Sequence, residues 1–152
     1  MAIWLVLFVD VVMRVHAHAN GTMFIVGALL GIWASDIAAY FVGKKFGKHK
    51  LCPAVSPGKS IEGLMGGLLF GVGLAACCWV WLVKISIEHA LLLALVLVVA
   101  GVLGDLFESA IKRMVGAKDS GRMLPGHGGL LDRIDALIPS LVAVGLLWLE
   151  IL

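Results

Sequence analysis

The sequence predicts an all-α fold, a polytopic bundle of membrane-crossing helices, and three observations carry that prediction. Hydrophobic residues fill 61% of the 152 positions and charged residues only 14%, and the mean hydropathy is +1.06, far from the balance of a water-soluble domain. The apolar residues gather in runs of about 20, the length that carries a helix across a bilayer. The charges gather between those runs, chiefly in two loops. A chain of this length makes a single membrane-embedded domain, 1–152. Its net charge of +2 is too small to argue for a nucleic-acid partner.

The first run, MAIWLVLFVDVVM, is apolar but short and is interrupted by Asp10. It lacks the basic leader and the small-residue cleavage site of a secretory signal, so it reads as a partial N-terminal membrane helix. Gly21 to Gly43 is long enough for a full span. Within it lies one ionisable residue, Asp36, one helical turn before Tyr40. An acid at that depth faces a wet or protein-lined interior, or else sits at the inner interface. A basic loop, KKFGKHKLCPAVSPGKS, follows at 44–60, with turn chemistry at Cys52-Pro53 and Pro57-Gly58. Lys59 and Ser60 lead from it into a helix N-terminus, a place suited to phosphate oxygens, although the spacing is not that of a P-loop.

Ile61 to Val83 is the second full span, and Gly63, Gly66, Gly67, Gly71 and Gly73 give it small residues for close helix packing. Glu88 or His89 to Ile111 is the third, joined to the second by a connector so short that the two form an antiparallel hairpin. Ile134 to Leu152 is just long enough to be the fourth, with Pro139 tolerable near its start. The expectation is therefore four full transmembrane helices and one partial one. Trp4, Trp33, Trp79, Trp81 and Trp148 fall mostly toward span ends, as interfacial anchors would. Cys52, Cys77 and Cys78 form no disulfide framework, and His16 and His18 have no carboxylate at a zinc-ligand spacing.

The densest charge lies from Gly104 to Asp135, GDLFESAIKRMVGAKDSGRMLPGHGGLLDRID. If the third span continues as helix to about Met114, Asp105, Ser109 and Lys112 share one face. Asp132 and Asp135, three apart, share a face at the head of the last run. Carboxylates from two helix ends, joined by a Gly-rich basic loop, make a hard oxygen site of the kind Mg²⁺ takes when it also holds substrate phosphates. For any one of these residues the plainer role is topological or ion-paired. Asp105 and Glu108 weigh against that for the group, since they close an apolar run where charge is expensive.

Ser109-x-x-Lys112-Arg113, Lys118-Asp119, Pro125-Gly126-His127-Gly128-Gly129 and Asp132-Arg133-x-Asp135 together resemble the signature of phosphatidate cytidylyltransferases, also called CDP-diacylglycerol synthases. Ser56-Pro57-Gly58-Lys59-Ser60-x-Glu62-Gly63 resembles a second motif of that family, with Ser60 where Thr is usual. Asp36 and Tyr40 to Gly43 resemble a third, with Ile37 where a small hydroxyl residue is common. The resemblance implies a polytopic, Mg²⁺-dependent membrane enzyme that converts CTP and phosphatidate to CDP-diacylglycerol and pyrophosphate. It assigns metal ligation to Asp105 and Asp132, with Asp135 and Asp36 as further candidates. Ser109, Lys112, Arg113, Lys118, His127 and Arg133 fall to catalysis or phosphate contact, with Lys59 and Ser60 from the other loop. It also implies that the chain corresponds to the C-terminal half of the usual length. On that expectation, Gly-rich faces left open would favour a homo-oligomer or a partner chain. Two alternatives remain at this level: a CTP-dependent kinase of polyprenols or similar lipid alcohols, and a non-catalytic truncated module that binds membrane lipids.

Charge placement orients the chain. Residues 44–60 hold five lysines and 112–133 five Lys or Arg, leaving Arg14 and Lys84 for the opposite side. Ten of twelve basic residues on one face place it in the cytoplasm, and CTP is cytoplasmic. The expected location is a bacterial inner membrane with the active site facing inward.

Overall fold

The computed structural model describes residues 2–114 and 136–151. Among the described residues five helices carry the architecture: α1 (Ala2–Ala17), α2 (Gly21–Phe46), α3 (Ile61–Cys78), α4 (Ile87–Met114) and α5 (Leu137–Ile151). A π-helical turn, Trp79–Val83, continues α3, so the predicted span Ile61 to Val83 is matched end to end. Lys84, at φ 65° in the left-handed region, then breaks the helix before α4.

Three of these segments, Gly21–Phe46, Ile61–Val83 and Ile87–Met114, are long and apolar enough to cross a membrane. The 26 residues of α2 extend about 39 Å against a hydrocarbon core of about 30 Å. The described part of α5 has 15 residues, about 22 Å, and α1 has 16. An all-α membrane-type bundle is thus borne out, with three long helices and two shorter ones among the described residues.

One departure from all-α matters to the site. The basic loop folds into an antiparallel hairpin, β1 (Lys50–Cys52) and β2 (Ser56–Ser60). The turn forms after Cys52 as expected, with Val55 N–H donating to Cys52 O at 3.2 Å, but Pro57-Gly58 lies in the strand. Lys50 pairs with Ser60 and Cys52 with Ser56, so β2 has surplus residues at Pro57–Lys59. Pro57 has no N–H for a ladder, and a bulge there re-aims the side chains that follow.

The closest packing is between α2 and α3, and its cause is a stripe of small residues on each. Gly27, Gly31, Ser35, Ala39 and Gly43 recur every fourth position on α2, facing Gly63, Gly67, Gly71 and Ala75 on α3. A Cβ on Gly31 would lie 2.7 Å from Ala75 Cβ, and one on Gly71 would lie 2.7 Å from Ser35 Cβ. Backbones approach this closely only when side chains are absent. The glycine face expected to seek a second chain is therefore occupied within the chain by α2. Gly73 alone of that set meets open space.

The tryptophan expectation needs correction. Trp79 and Trp148 are fully buried, stacked on either side of Phe24 with centroids 4.6 and 4.5 Å away. Trp79 Nε1 donates to Phe24 O at 2.9 Å, which satisfies its polar atom inside the core. Trp33 and Trp81 are exposed. Phe24 and Gly43 are about 28 Å apart along α2, so the aromatic stack closes one end of the bundle. The other end holds a cavity among the described residues.

Candidate active site

At the end away from the aromatic stack, α2, α3, α4 and the hairpin line a cavity of about 780 Å³. Ile32, Leu64, Leu97 and Val98 contribute apolar surface to its wall. Asp36, Tyr40 and Lys44 from α2, Lys50 and Lys59 from the hairpin and Asp105 from α4 contribute the polar groups. Gly43, Gly63 and Gly67 also line it, because the close α2–α3 approach forms one wall.

Asp105 is held by two side chains. Lys59 Nζ makes an ion pair with its Oδ2, and Ser109 Oγ donates to its Oδ1 at 3.3 Å. The Asp105–Ser109 pair is the i, i+4 contact that the sequence predicts. The Lys59 contact joins two motifs that lie far apart in sequence, and the bulged strand is what delivers it. Ser60, buried beside Lys59, caps α3, with its Oγ accepting from Gly63 N–H at 3.1 Å. A hydroxyl that accepts this bond keeps its own proton for donation.

Lys112 does not reach Asp105. It pairs with Glu108 one turn back, Nζ to Oε1 at 3.3 Å, with both side chains largely buried. Arg113 Nε donates to Val55 O at 3.4 Å, tying the end of α4 to the hairpin turn. Glu62 secures the hairpin's other side: its carboxylate accepts from Lys48 N–H and His49 N–H, and His49 Nδ1 lies 2.7 Å from Oε1. The end of α4 and the loop after α2 therefore share one end of the molecule, as the charge placement predicted. Lys118, His127, Asp132, Arg133 and Asp135 lie outside the described residues.

Sequence reasoning treated Lys44 and Lys50 only as members of a basic loop, and noted Tyr40 as a neighbour of Asp36 and as part of a motif ending at Gly43 without giving it a role. A signal was present for two of them. Asp36, Tyr40 and Lys44 fall at successive fourth positions of one helix, and Lys44 Nζ lies 3.5 Å from Tyr40 Oη and 5.6 Å from the ring centre. Lys50 carried none, because only strand pairing brings it to the cavity rim.

Asp105 suits a hard divalent cation, since one of its oxygens already holds a positive group in a partly enclosed polar cavity. Among the described residues no three carboxylate, His or Cys side chains gather as a complete ligand set. Asp36 lines the same cavity.

The chain matches the model described as the Cytidylyltransferase family over residues 1–149. It is 41% identical over 143 residues to the phosphatidate cytidylyltransferase of Mycobacterium bovis, covering 94% of this chain and 47% of that protein. To the proteins of that name from Staphylococcus saprophyticus and Staphylococcus aureus strain COL it is 40% and 42% identical over 137 residues. Those alignments cover 90% and 89% of this chain, and 53% and 52% of the relatives. The chain spans about half the length of the curated relatives it matches.

Proposed function

Because the chain belongs to the cytidylyltransferase family, we propose that it transfers the cytidylyl group of CTP to phosphatidate, giving CDP-diacylglycerol and pyrophosphate. The observation that carries the reading is the single cavity that gathers Lys44, Lys50 and Lys59, Asp36 and Asp105 beside an apolar wall. A nucleoside triphosphate needs the cations, and a lipid phosphate needs the membrane-embedded wall. Relatives named for this activity support the same reading.

In the reaction a phosphate oxygen of phosphatidate attacks the α-phosphorus of CTP in line, the bond from that phosphorus to the bridging oxygen breaks, and pyrophosphate leaves. No covalent enzyme intermediate is needed. The chain's task is to hold two anions together and offset their charge. Lys44, Lys50 and Lys59 supply positive charge at the cavity, and the Ser60 hydroxyl keeps a proton to donate there. Ser109 orients Asp105. Lys112, Arg113, Lys118, His127 and Arg133 are assigned to further phosphate contact, and the Lys112 ammonium also pairs with Glu108. Mg²⁺, held by Asp105 and Asp36 with Asp132 and Asp135, would draw negative charge from the phosphate oxygens. The site faces the cytoplasm of a bacterial inner membrane, a placement that rests on the basic residues at its end of the bundle.

The test is incubation of purified protein in nanodiscs with phosphatidate and CTP radiolabelled at the α-phosphate. Label is expected in the lipid fraction. Label leaving CTP only as water-soluble CDP, with a lipid alcohol as acceptor, would identify a kinase instead, and no turnover of either kind would mark a non-catalytic module. Oligomeric mass measured on the same sample decides whether the chain acts alone, as a homo-oligomer or with a partner.

A further inference from the structure

We infer that the Lys59 ammonium is the site's built-in counter-cation: it holds Asp105 while no divalent cation is bound, and divalent-cation binding releases it to the nucleotide's phosphates. The inference rests on the reading of Asp105 as a metal ligand. It adds a role for Lys59 that the motif itself does not state.

Three observations lead to it. Lys59 Nζ sits on Asp105 Oδ2 while Oδ1 accepts from Ser109, so the ammonium occupies the carboxylate oxygen left for a cation. No second basic side chain pairs with Asp105 among the described residues, which makes Lys59 the group that neutralises it. A carboxylate with 35% of its side chain exposed, in a protein-lined cavity, is stabilised by that partner. An ammonium and a divalent ion cannot share one oxygen without strong mutual repulsion, so binding of one displaces the other.

The third observation is that the released lysine has somewhere to go. Its backbone is fixed next to Ser60, whose side chain is buried as the cap of α3. Its side chain lines the same cavity as Lys44 and Lys50, and four flexible methylenes let the ammonium move while the strand stays in place. Metal binding would thus expose a phosphate-binding cation at the moment phosphate charge arrives. Metal-free nucleotide would meet a lysine already engaged.

The experiment measures Mn²⁺ affinity without nucleotide, from the free-ion resonance signal, on the full chain in nanodiscs. Lys59→Met is expected to bind Mn²⁺ about tenfold more tightly than wild type, because a competing state is removed. Lys59→Arg, which keeps the charge, should remain near wild type, and Asp105→Asn should lose tight binding. Lys59→Gln removes the same charge if the Met variant does not fold, as judged by circular dichroism. Unchanged or weaker binding in Lys59→Met, with binding lost in Asp105→Asn, would overturn the inference and leave the metal reading intact. Wild-type affinity in Asp105→Asn would instead remove the metal reading, and the inference with it. A second readout is CTP binding in EDTA. Asp105→Asn should gain about tenfold by freeing Lys59, and the gain should vanish when Lys59→Met is added; a gain that survives would also overturn the inference.

Discussion

Asp105 is held from two directions, by Ser109 one turn along its own helix and by Lys59 from the bulged strand. On the proposed function these contacts differ in weight. Replacing Asp105 with Asn removes the charge that a cation needs, and activity is expected to fall at least about 100-fold with the fold preserved. Replacing Ser109 with Ala removes one hydrogen bond, a loss of about 1 kcal/mol and so about fivefold in rate. Initial rates of lipid labelling, with circular dichroism as a folding control, check both. A smaller effect for Asp105→Asn than for Ser109→Ala would contradict the assignment of roles.

The α2–α3 pair supplies the cavity wall, and its geometry depends on a few absent side chains. A Cβ on Gly67 would lie 2.9 Å from Ser35 Oγ and 3.2 Å from Ala39 Cβ, so Gly67→Val must push the helices apart. The expected destabilisation is about 1–3 kcal/mol. Gly73 belongs to the same helix but meets nothing within 4 Å, and Gly73→Ala should stay within about 0.5 kcal/mol. Thermal unfolding of the two variants in one detergent separates them. The same melts give no difference if the seam is loose.

Taken whole, the bundle has a polar end and an aromatic end about 28 Å apart along α2. Trp148→Ala would empty the outer half of the Phe24 stack, and a loss of about 3–5 kcal/mol is expected with little change in KM for CTP, because the change lies far from the cavity. The polar end should face one compartment. Cysteines introduced at Lys48 and Ser120, with the three native cysteines replaced, are expected to label from the cytoplasmic side in both cases. Labelling from opposite sides would separate the two charged stretches and rule out a shared site.

The spans were legible because each is a long apolar run bounded by charge, and burial in lipid rewards that pattern wherever the run packs. The second one was read to the residue. The Asp105–Ser109 contact was legible for a similar reason, since the helix period alone brings residues four apart together. Charge placement along the sequence also anticipated that the 44–60 loop and the end of α4 lie together. Tertiary structure decided the rest. Two three-to-five-residue strands containing a proline carry almost no periodic signal, and they form because β1 and β2 meet across a turn while Glu62 and Arg113 secure the hairpin. Trp79 and Trp148 are interior because their partner is Phe24 at the far end of another helix, a fact no local pattern contains. The pairing of Lys59 with Asp105 is of the same kind: each residue is visible as a candidate in its own motif, but only a bulged strand packed against the end of α4 makes one the counter-charge of the other.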